Sequence, residues 1–365
     1  MAILEQSNAI GASIAGRQRP SHSTDQSTNL LTFVDFPASW YFFSLAKELD
    51  KGPVSRHMLG QDLVAYRTDS GRIVVMASRC AHLGADLSKG KVVGDCIQCP
   101  FHGWRYAPDG HCTHIPLGHE IPPGARQETY PAVERHGFVF IFNGSNPLFP
   151  LPFFFDEEVD QFTPSAPVEF IGSSTWYMVA AHGFDTQHFE TVHSRKLHAP
   201  LSVDCPDPYA RRSRYTADVL GDAYYDRLLR RFVGPTVDIS ITTWGGTLVM
   251  VTGRFKRAMS QFIIAIQPIE NGQSLCHVLP FARISSNRLS RIFLQPIDLW
   301  IRRLFTGAYL IAEVNCLGNP RYNATNLVEA DKELIEYFQW AAALPGPTYS
   351  VSAKVRSDQR MVRGS

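Results

Sequence analysis

The sequence predicts an α+β chain in which a small all-β domain precedes a larger domain of antiparallel strands and helices. Three observations carry this. Residues 31–148 hold short β runs separated by turn residues, with no long helical period. A proline-rich passage, NPLFPLPFF from Asn146, then interrupts the pattern where a domain boundary belongs, because proline fixes φ and removes a donor. Beyond it, over 149–350, strand runs mix with helical periods, and two helices are predicted near 288–316 and 323–343. A chain of 365 residues has room for two such domains.

Taken in order, residues 1–30 are rich in Ser, Gln and Asn and poor in large apolar groups, which predicts a disordered arm. MAILEQSNAI lacks the basic and long apolar regions of a secretory signal. Order is expected from FPASWYFFSLAKEL onward. LVAYRT and IVVMAS flank DSGR, WRYAP and HCTHI flank DG, and GFVFIFNG follows ERH, so each reads as paired or successive strands. In the second part a helix is predicted near 180–195 and strands at GTLVMVTGRF and QFIIAIQPI. ENGQ supplies an Asn-Gly hairpin signal before SLCHVLPFA, and residues 351–365 read as a flexible tail.

Charge and cysteine usage exclude several function classes. With 35 basic and 34 acidic residues, the chain as a whole has no electrostatic footprint for nucleic acid or anionic membrane. Four of the seven cysteines crowd between Cys80 and Cys112 and the others are scattered, which is no disulfide framework and predicts a reducing, cytoplasmic compartment. IFLQPIDLWIRRLFTGAYLIAEV, from Ile292, carries Asp298, Arg302 and Arg303 where a membrane span needs about 20 apolar residues. It reads as a soluble or surface-facing amphipathic helix, with no membrane span. Without a GxGxxG or Walker motif, nicotinamide or flavin chemistry has to come from another protein.

The segment CAHLGADLSKGKVVGDCIQCPFH pairs Cys80-x-His82 with Cys99-x-x-His102. Two loops that each offer one thiolate and one imidazole suit a Cys₂His₂ zinc site or a Rieske [2Fe-2S] cluster, in which two cysteines hold one iron and two histidines the other. Zinc fingers usually pair like ligands on each half. Here each loop gives one of each, and Gly84, Pro100, Gly103 and Trp104 suit loops that cover a cluster, so the cluster reading is favoured. Cys96 then reads as a half-buried strand cysteine. AHGFDTQHFETVHSRK adds a second candidate, with Asp185, His188 and His193 within nine residues. Two imidazoles and a carboxylate form the facial triad of non-heme Fe(II), with positions left open for O₂. The i, i+5 spacing of the histidines predicts either a π-type widening or a helix end. His182 and His198 nearby read as bystanders.

CAHLGADL and CPFHGWRY resemble the two binding loops of the Rieske family, in its oxygenase and ferredoxin type. The respiratory type carries an extra cysteine in each loop, and here Ala85 and Phe101 stand in those places. CIQCPFHGWRY, GARQ, DTQH and ADKELIEYF are similar to members that oxidise arylamines, while HLGADLSKG and HFETVH are similar to members that hydroxylate or desaturate steroids. The resemblance implies a Rieske domain followed by a helix-grip-like catalytic domain, holding a [2Fe-2S] cluster and a mononuclear Fe(II) and using O₂ as cosubstrate. It also implies that His188 and His193 ligate the iron, and that Asp185 instead bridges His188 to His102 of a neighbouring subunit in a homotrimer.

The third iron ligand is then sought in NLVEADKELIEYFQW. At about 100° per residue, Val328, Leu334, Ile335, Phe338 and Ala342 share a helical face with Asp331 in its middle, whereas Glu329, Glu333 and Glu336 fall opposite. A carboxylate on an apolar face needs a cation, which selects Asp331, in agreement with the acidic residue that the family has on a C-terminal helix. The implied partners are a small apolar substrate and a separate NAD(P)H-dependent flavin reductase, a ferredoxin, or both. The leading function is oxidation of an apolar aromatic or alicyclic molecule, with arylamine N-oxygenation as its sharpest form. Hydroxylation, demethylation or desaturation of a steroid-like ring is the alternative within the enzyme class. Outside that class stands an electron-transfer or redox-sensing module with a ligand-binding domain.

Overall fold

The computed structural model describes residues 31–118 and 120–349, and of 309 and 311–317 the backbone alone. The predicted arm and tail, and the segment read for a secretory signal, lie outside the described residues. Eleven strands come first: β1 (Trp40–Leu45), β2 (Val54–Met58), β3 (Gln61–Arg67), β4 (Ile73–Ala77), β5 (Lys91–Val93), β6 (Cys96–Gln98), β7 (Arg105–Tyr106), β8 (Cys112–His114), β9 (Thr129–Tyr130), β10 (Ala132–Arg135) and β11 (Phe138–Phe142). They form three antiparallel sheets, ordered β1-β11-β10, β2-β3-β4-β9 and β5-β6-β7-β8.

A larger sheet follows, built from β12 (Phe162–Pro164), β13 (Val168–Gly172), β14 (Arg195–Leu197), β15 (Ser202–Asp207), β16 (Ala210–Val219), β17 (Thr236–Trp244), β18 (Leu248–Phe255), β19 (Met259–Ile269) and β20 (Gln273–Arg283). Its spine runs β20-β19-β18-β17-β16, all antiparallel. The helices are α1 (Trp176–Ala181), α2 (Thr186–Thr191), α3 (Tyr224–Leu228), α4 (Arg288–Phe293), α5 (Gln295–Leu317) and α6 (Lys332–Ala342). The predicted hairpins are present. Asn271 and Gly272 take φ of +61° and +69° between β19 and β20, the double positive φ that an Asn-Gly turn supplies.

Strand alternation explains how the sheets stack, because successive side chains point to opposite faces. In β3 and β4, Val64, Tyr66, Val74 and Met76 face the core that also holds Cys80, Cys99 and Tyr106. Leu63, Ala65, Ile73 and Val75 face a second core shared with Tyr41, Phe43, Val139 and Ile141. The alternate residues of β1 and β11, Trp40, Phe42, Phe138 and Phe140, pack on Leu248, Ile263, Leu279 and Phe281 of the large sheet. The far face of that sheet receives α1, α2 and α6 through Trp176, Phe189 and Phe338. From one end to the other the order is cluster loops, three sheets, then helices.

The proline-rich passage carries no strand, yet it is no free linker. Phe149, Leu151 and Phe154 are buried in the core between β1/β11 and the large sheet, and the described residues from Leu31 onward pack as one compact unit. Prolines signalled the break in secondary structure, while the aromatic residues between them supply the contacts that keep the two parts together.

The β17–β18 turn locks the helices onto the sheet. Gly246 has φ +78°, and a Cβ there would come within 2.3 Å of the Trp176 ring, whose Nε1–H donates to the Val34 carbonyl at 2.9 Å. Gly246→Ala therefore combines a backbone penalty with a clash and is expected to lose about 2–3 kcal/mol of stability. Gly94→Ala, also at positive φ but with nothing within 4 Å of its Cβ, should lose only about 1 kcal/mol. Urea unfolding of the two variants measures the difference.

Candidate metal centres and cavity

Two loops of one design carry the first set of predicted ligands. In the loop after β4, the Cys80 amide donates to the Ala85 carbonyl and the Gly84 amide to the Cys80 carbonyl, both at 2.8 Å. In the loop after β6, the Cys99 amide donates to the Trp104 carbonyl at 2.8 Å and the Gly103 amide to the Cys99 carbonyl at 3.1 Å. Gly84 and Gly103 hold φ of +77° and +73°, the left-handed backbone that each reversal needs.

The donor atoms sort by element. Cys80 and Cys99 are 3% and 2% exposed, whereas His82 and His102 face solvent with ring centroids 4.7 Å apart. Burial pushes the Cys80 thiol up, opposed by its hydrogen bond with the Tyr106 hydroxyl at 3.1 Å and reinforced by the Cys99 thiol beside it. Trp104 stacks on His82 at 4.3 Å with planes 5° apart. Among the described residues no three His, Cys, Asp or Glu side chains gather round one point. Two separated pairs, sulfur inside and nitrogen outside, fit a binuclear centre with cysteines on one iron and histidines on the other. Cys96, half-buried in β6 with Sγ 3.7 Å from the Thr113 hydroxyl, stays apart from the pair.

The second set forms round the end of α2. Asp185 is the N-cap, its Oδ1 accepting from the His188 amide at 3.1 Å, and the Val192 amide closes the helix on the His188 carbonyl at 2.9 Å. His193 therefore lies past the helix end, which realises one of the two predicted ways of accommodating i, i+5. Ser194 takes φ +50°, and the Nε2 atoms of His188 and His193 approach to 2.9 Å in a buried setting. Asp185 thus caps the helix that carries His188 and does not lie within it. His182, read as a bystander, stacks on His188 with centroids 4.8 Å apart and planes 14° apart.

Two residues that sequence reasoning missed hold His193 in place. Arg195 Nη1 donates to the His193 carbonyl at 2.7 Å and its Nη2 to Asp226 Oδ1 at 2.9 Å, with both side chains buried. Arg195 lies two residues from a singled-out histidine, which was a usable signal. Asp226 lies 31 residues further on, and no local pattern connects them.

The face argument for Asp331 is also corrected. α6 begins at Lys332, and Asp331 sits in the 3₁₀ turn before it, where Oδ2 accepts from the Val328 amide at 3.0 Å and Oδ1 from Gln187 Nε2 at 2.9 Å. The buried face of α6 is centred on Tyr337, Phe338 and Ala341, and Val328 is 56% exposed, so the apolar phase is rotated from the one predicted. A carboxylate at a helix start finds amide donors nearby and has no need of a cation there. The structure brings His188 and His193 together but does not gather Asp331 with them; the link is indirect, through Gln187. Glu336 pairs with Arg211 at 2.6 Å.

His182, His188 and His193 line the wall of a cavity of about 600 Å³ between the large sheet and α3 and α5. Most of its lining is apolar, including Phe189, Ile239, Val251, Phe262 and Phe305. Its two arginines are already matched: Arg195 with Asp226, and Arg302 with Asp298 at 2.8 Å. An apolar space with three imidazoles at one wall suits a neutral molecule held beside a metal.

Comparison with known proteins agrees with this geometry. The profile of the Rieske [2Fe-2S] domain matches residues 39–131. Aminopyrrolnitrin oxygenase PrnD of Pseudomonas fluorescens is 30% identical over 291 residues, 72% of this chain and 78% of that protein. The oxygenase component of 3-ketosteroid-9-alpha-monooxygenase from Rhodococcus rhodochrous is 30% identical over 169 residues, 43% of each chain. Cholesterol 7-desaturase of Xenopus laevis is 42% identical over 123 residues, 32% of this chain and 27% of its own length. The chain thus spans less than half of these two steroid-related relatives. In fold it is similar to dicamba monooxygenase bound to dicamba, with a TM-score of 0.59 and 16% identity over 86% of this chain and 98% of that one. It is also similar to NdmA of Pseudomonas putida CBB5 with caffeine, with a TM-score of 0.59 and 22% identity over 83% and 89%. The relatives named are oxygenases and desaturases, which lends no support to a redox-sensing module. This chain belongs to the Rieske non-heme iron oxygenases: it is a terminal oxygenase, an oxidoreductase that uses a [2Fe-2S] cluster, a mononuclear iron and O₂, and works with a separate electron donor.

Proposed function

We propose that the cluster domain spans 31–148 and the iron domain 149–350, and that Cys80, Cys99, His82 and His102 hold the cluster. His188 and His193 hold the mononuclear iron, with Asp331 completing the set. Gln187, the neighbour of His188 in sequence, binds the Asp331 carboxylate and supports its place near the site. When bound, these centres supply stored electrons and the reduction of O₂. The chain's own residues bind the substrate, keep water out and fix the imidazoles: Arg195 holds the His193 carbonyl, and Asp185 holds the first turn of α2.

The layered fold supports a homotrimer. The cluster loops and the helix of His188 lie at opposite ends of three stacked sheets, and sheets pack about 10 Å apart, so within one chain they are separated by roughly 30 Å. A route through side chains in contact needs a second subunit. The exposed rings of His82 and His102, flanked by Leu83 at 67% and Phe101 at 64% exposure, suit a face that meets protein. In this reading Asp185 bridges His188 to the His102 of a neighbouring subunit. The NAD(P)H-dependent flavin reductase or ferredoxin that supplies the electrons docks near the same loops. Seven cysteines, an odd number with four crowded between Cys80 and Cys112 and three scattered, support a reducing, cytoplasmic setting.

The single observation that carries the substrate reading is the cavity, apolar, about 600 Å³ in volume and with its arginines paired. The substrate is an uncharged aromatic or alicyclic ring compound. Arylamine N-oxygenation leads, because the arylamine-oxidising relative matches across most of the chain. Hydroxylation or desaturation of a steroid-like ring is the second reading, favoured by a volume well inside the range of pockets that take drug-sized ligands.

Anaerobic single turnover tests this. With the cluster reduced and excess reductant removed, labelled O₂ is added with a panel of arylamines and ring hydrocarbons. Rapid cluster reoxidation with one class alone, with label in its product, is expected; reoxidation indifferent to every ring compound, with both centres full, would reject the apolar-ring reading. His193→Ala should keep the visible spectrum of the cluster and its acid-labile sulfide, lose the mononuclear iron, and lower turnover more than about 100-fold. Asp185→Asn should keep both centres and slow substrate-dependent cluster reoxidation about 10–100-fold; near-normal turnover would remove Asp185 from the electron route. Asp226→Asn leaves a buried guanidinium without its counter-charge and should destabilise the chain by about 3–5 kcal/mol, read from the unfolding midpoint.

A further inference from the structure

The first part of the α4–α5 arm is inside out. On a water-facing domain an amphipathic helix turns its apolar stripe to the core and its polar residues to solvent. Over the first half of α5, the buried residues are Gln295, Thr306 and Gly307, and the apolar contact with the sheet comes only further on, at Leu310. Leu294, Ile297, Trp300, Ile301 and Leu304, spaced for one helical face, point the other way and are 41–62% exposed. Leu289 and Phe293 of α4 extend this face at 67% and 65% exposure. Scattered exposed leucines need no explanation, but a continuous stripe of this kind marks a surface that something covers.

Charge identifies what covers it. The chain as a whole is balanced, yet segments 224–233, 254–259 and 288–304 together hold ten Lys and Arg against two Asp. Both carboxylates are taken: Asp226 by Arg195 and Asp298 by Arg302. These segments are neighbours, since the Arg257 amide donates to the Val233 carbonyl at 3.1 Å and Arg302 Nη1 donates to the Met259 carbonyl. They also border the cavity. Phe232 and Ile301 line it while remaining 64% and 41% exposed, so its apolar lining runs out through the mouth onto the surface stripe. Balance over the whole sequence concealed this local excess.

We propose that this face docks peripherally on an anionic lipid bilayer, with the cavity mouth against the lipid in which an apolar substrate dissolves. An apolar stripe flanked by basic residues is the pattern of a helix lying in the membrane interface. No described helix is long and apolar enough to cross a membrane. A second copy of the same face is disfavoured: Arg302 is matched by Asp298 and Arg254 lies near Glu157, but a two-fold contact would still set the remaining basic excess of one copy against that of the other. The delivery of substrate rests on the apolar-cavity reading; the docking itself does not.

The test uses the full-length, metal-loaded protein in its native assembly. It is co-sedimented with vesicles of phosphatidylcholine alone or with about one third phosphatidylglycerol. Partition at least about ten-fold greater onto the anionic vesicles is expected, weakening as salt rises. A blue shift of tryptophan emission on binding should disappear in Trp300→Phe. Ile297→Glu with Trp300→Glu, and separately Arg288→Glu with Arg291→Glu, should each lower the partition about ten-fold or more while leaving the cluster spectrum and the unfolding midpoint unchanged. Leu304→Glu is the substitute if the first pair disturbs the cluster spectrum. Equal or absent sedimentation with both vesicle types would overturn the proposal. So would a change in molar mass by light scattering in the Glu variants with no change in vesicle binding, which would assign the face to contacts between copies. Binding is read without turnover, so failure here leaves the oxygenase reading intact, and a failed turnover panel leaves the docking intact.

Discussion

The approach of two imidazoles across the end of a short helix is the constraint on which the candidate iron site depends. Residues five apart in a regular helix point about 140° away from each other, so His188 and His193 can meet only if the helix widens or stops between them, and here it stops. Several features make it stop there. Asp185 fixes the start by capping, Ser194 turns the chain through positive φ, and Arg195 holds the His193 carbonyl from beyond the turn. Arg195 is fixed in turn by Asp226, whose carboxylate packs so closely on Gly221 that a Cβ there would lie 2.0 Å from Oδ2. A buried ion pair contributes little net stability, because desolvation offsets the attraction. Its value here is geometric: it ties the residue after the helix end to α3, on the other wall of the cavity.

The two cluster loops reach a comparable precision with less of the chain. Each is a reversal closed by its own backbone hydrogen bonds, so ligand position is set before any long-range contact forms. The long-range part is burial. Tyr106 meets Cys80 from the core of the β2–β4 sheet, and burial followed by the sulfur beside it pushes that phenol up, so it stays a neutral donor to sulfur. His82 and His102 are left at the surface.

What the sequence revealed follows this division between local and distant causes. Hairpins, the Asn-Gly turn, the two reversals that carry the candidate cluster residues and the helix end between His188 and His193 all rest on residues a few positions apart, and each was legible. Arg195–Asp226 and Arg211–Glu336 join residues 31 and 125 positions apart, and no local period encodes them. The helical face assigned to Asp331 was misjudged for a related reason. Its helical phase was taken from Val328 onward, but the helix starts at Lys332 after a 3₁₀ turn, and a different turn geometry shifts every face that follows. The proline passage misled in the opposite sense: its prolines were read as a separation, while Phe149 and Phe154 between them join the two parts.

The apolar stripe on α5 shows the limit of amphipathic patterning itself. Periodicity reveals that a helix has an apolar face, but not which way the face points, because the same stripe satisfies a protein core or a lipid interface. Burial of Gln295 and Thr306 decides it. Gln295 donates from Nε2 to the Arg283 carbonyl at 2.9 Å, so the polar side of the helix is held inward by a hydrogen bond to the end of β20. Rotating the helix to bury Trp300 would break that bond. The inward polar contact and the outward apolar stripe are thus one arrangement, and it sets the apolar rim of the cavity beside the apolar face of the helix.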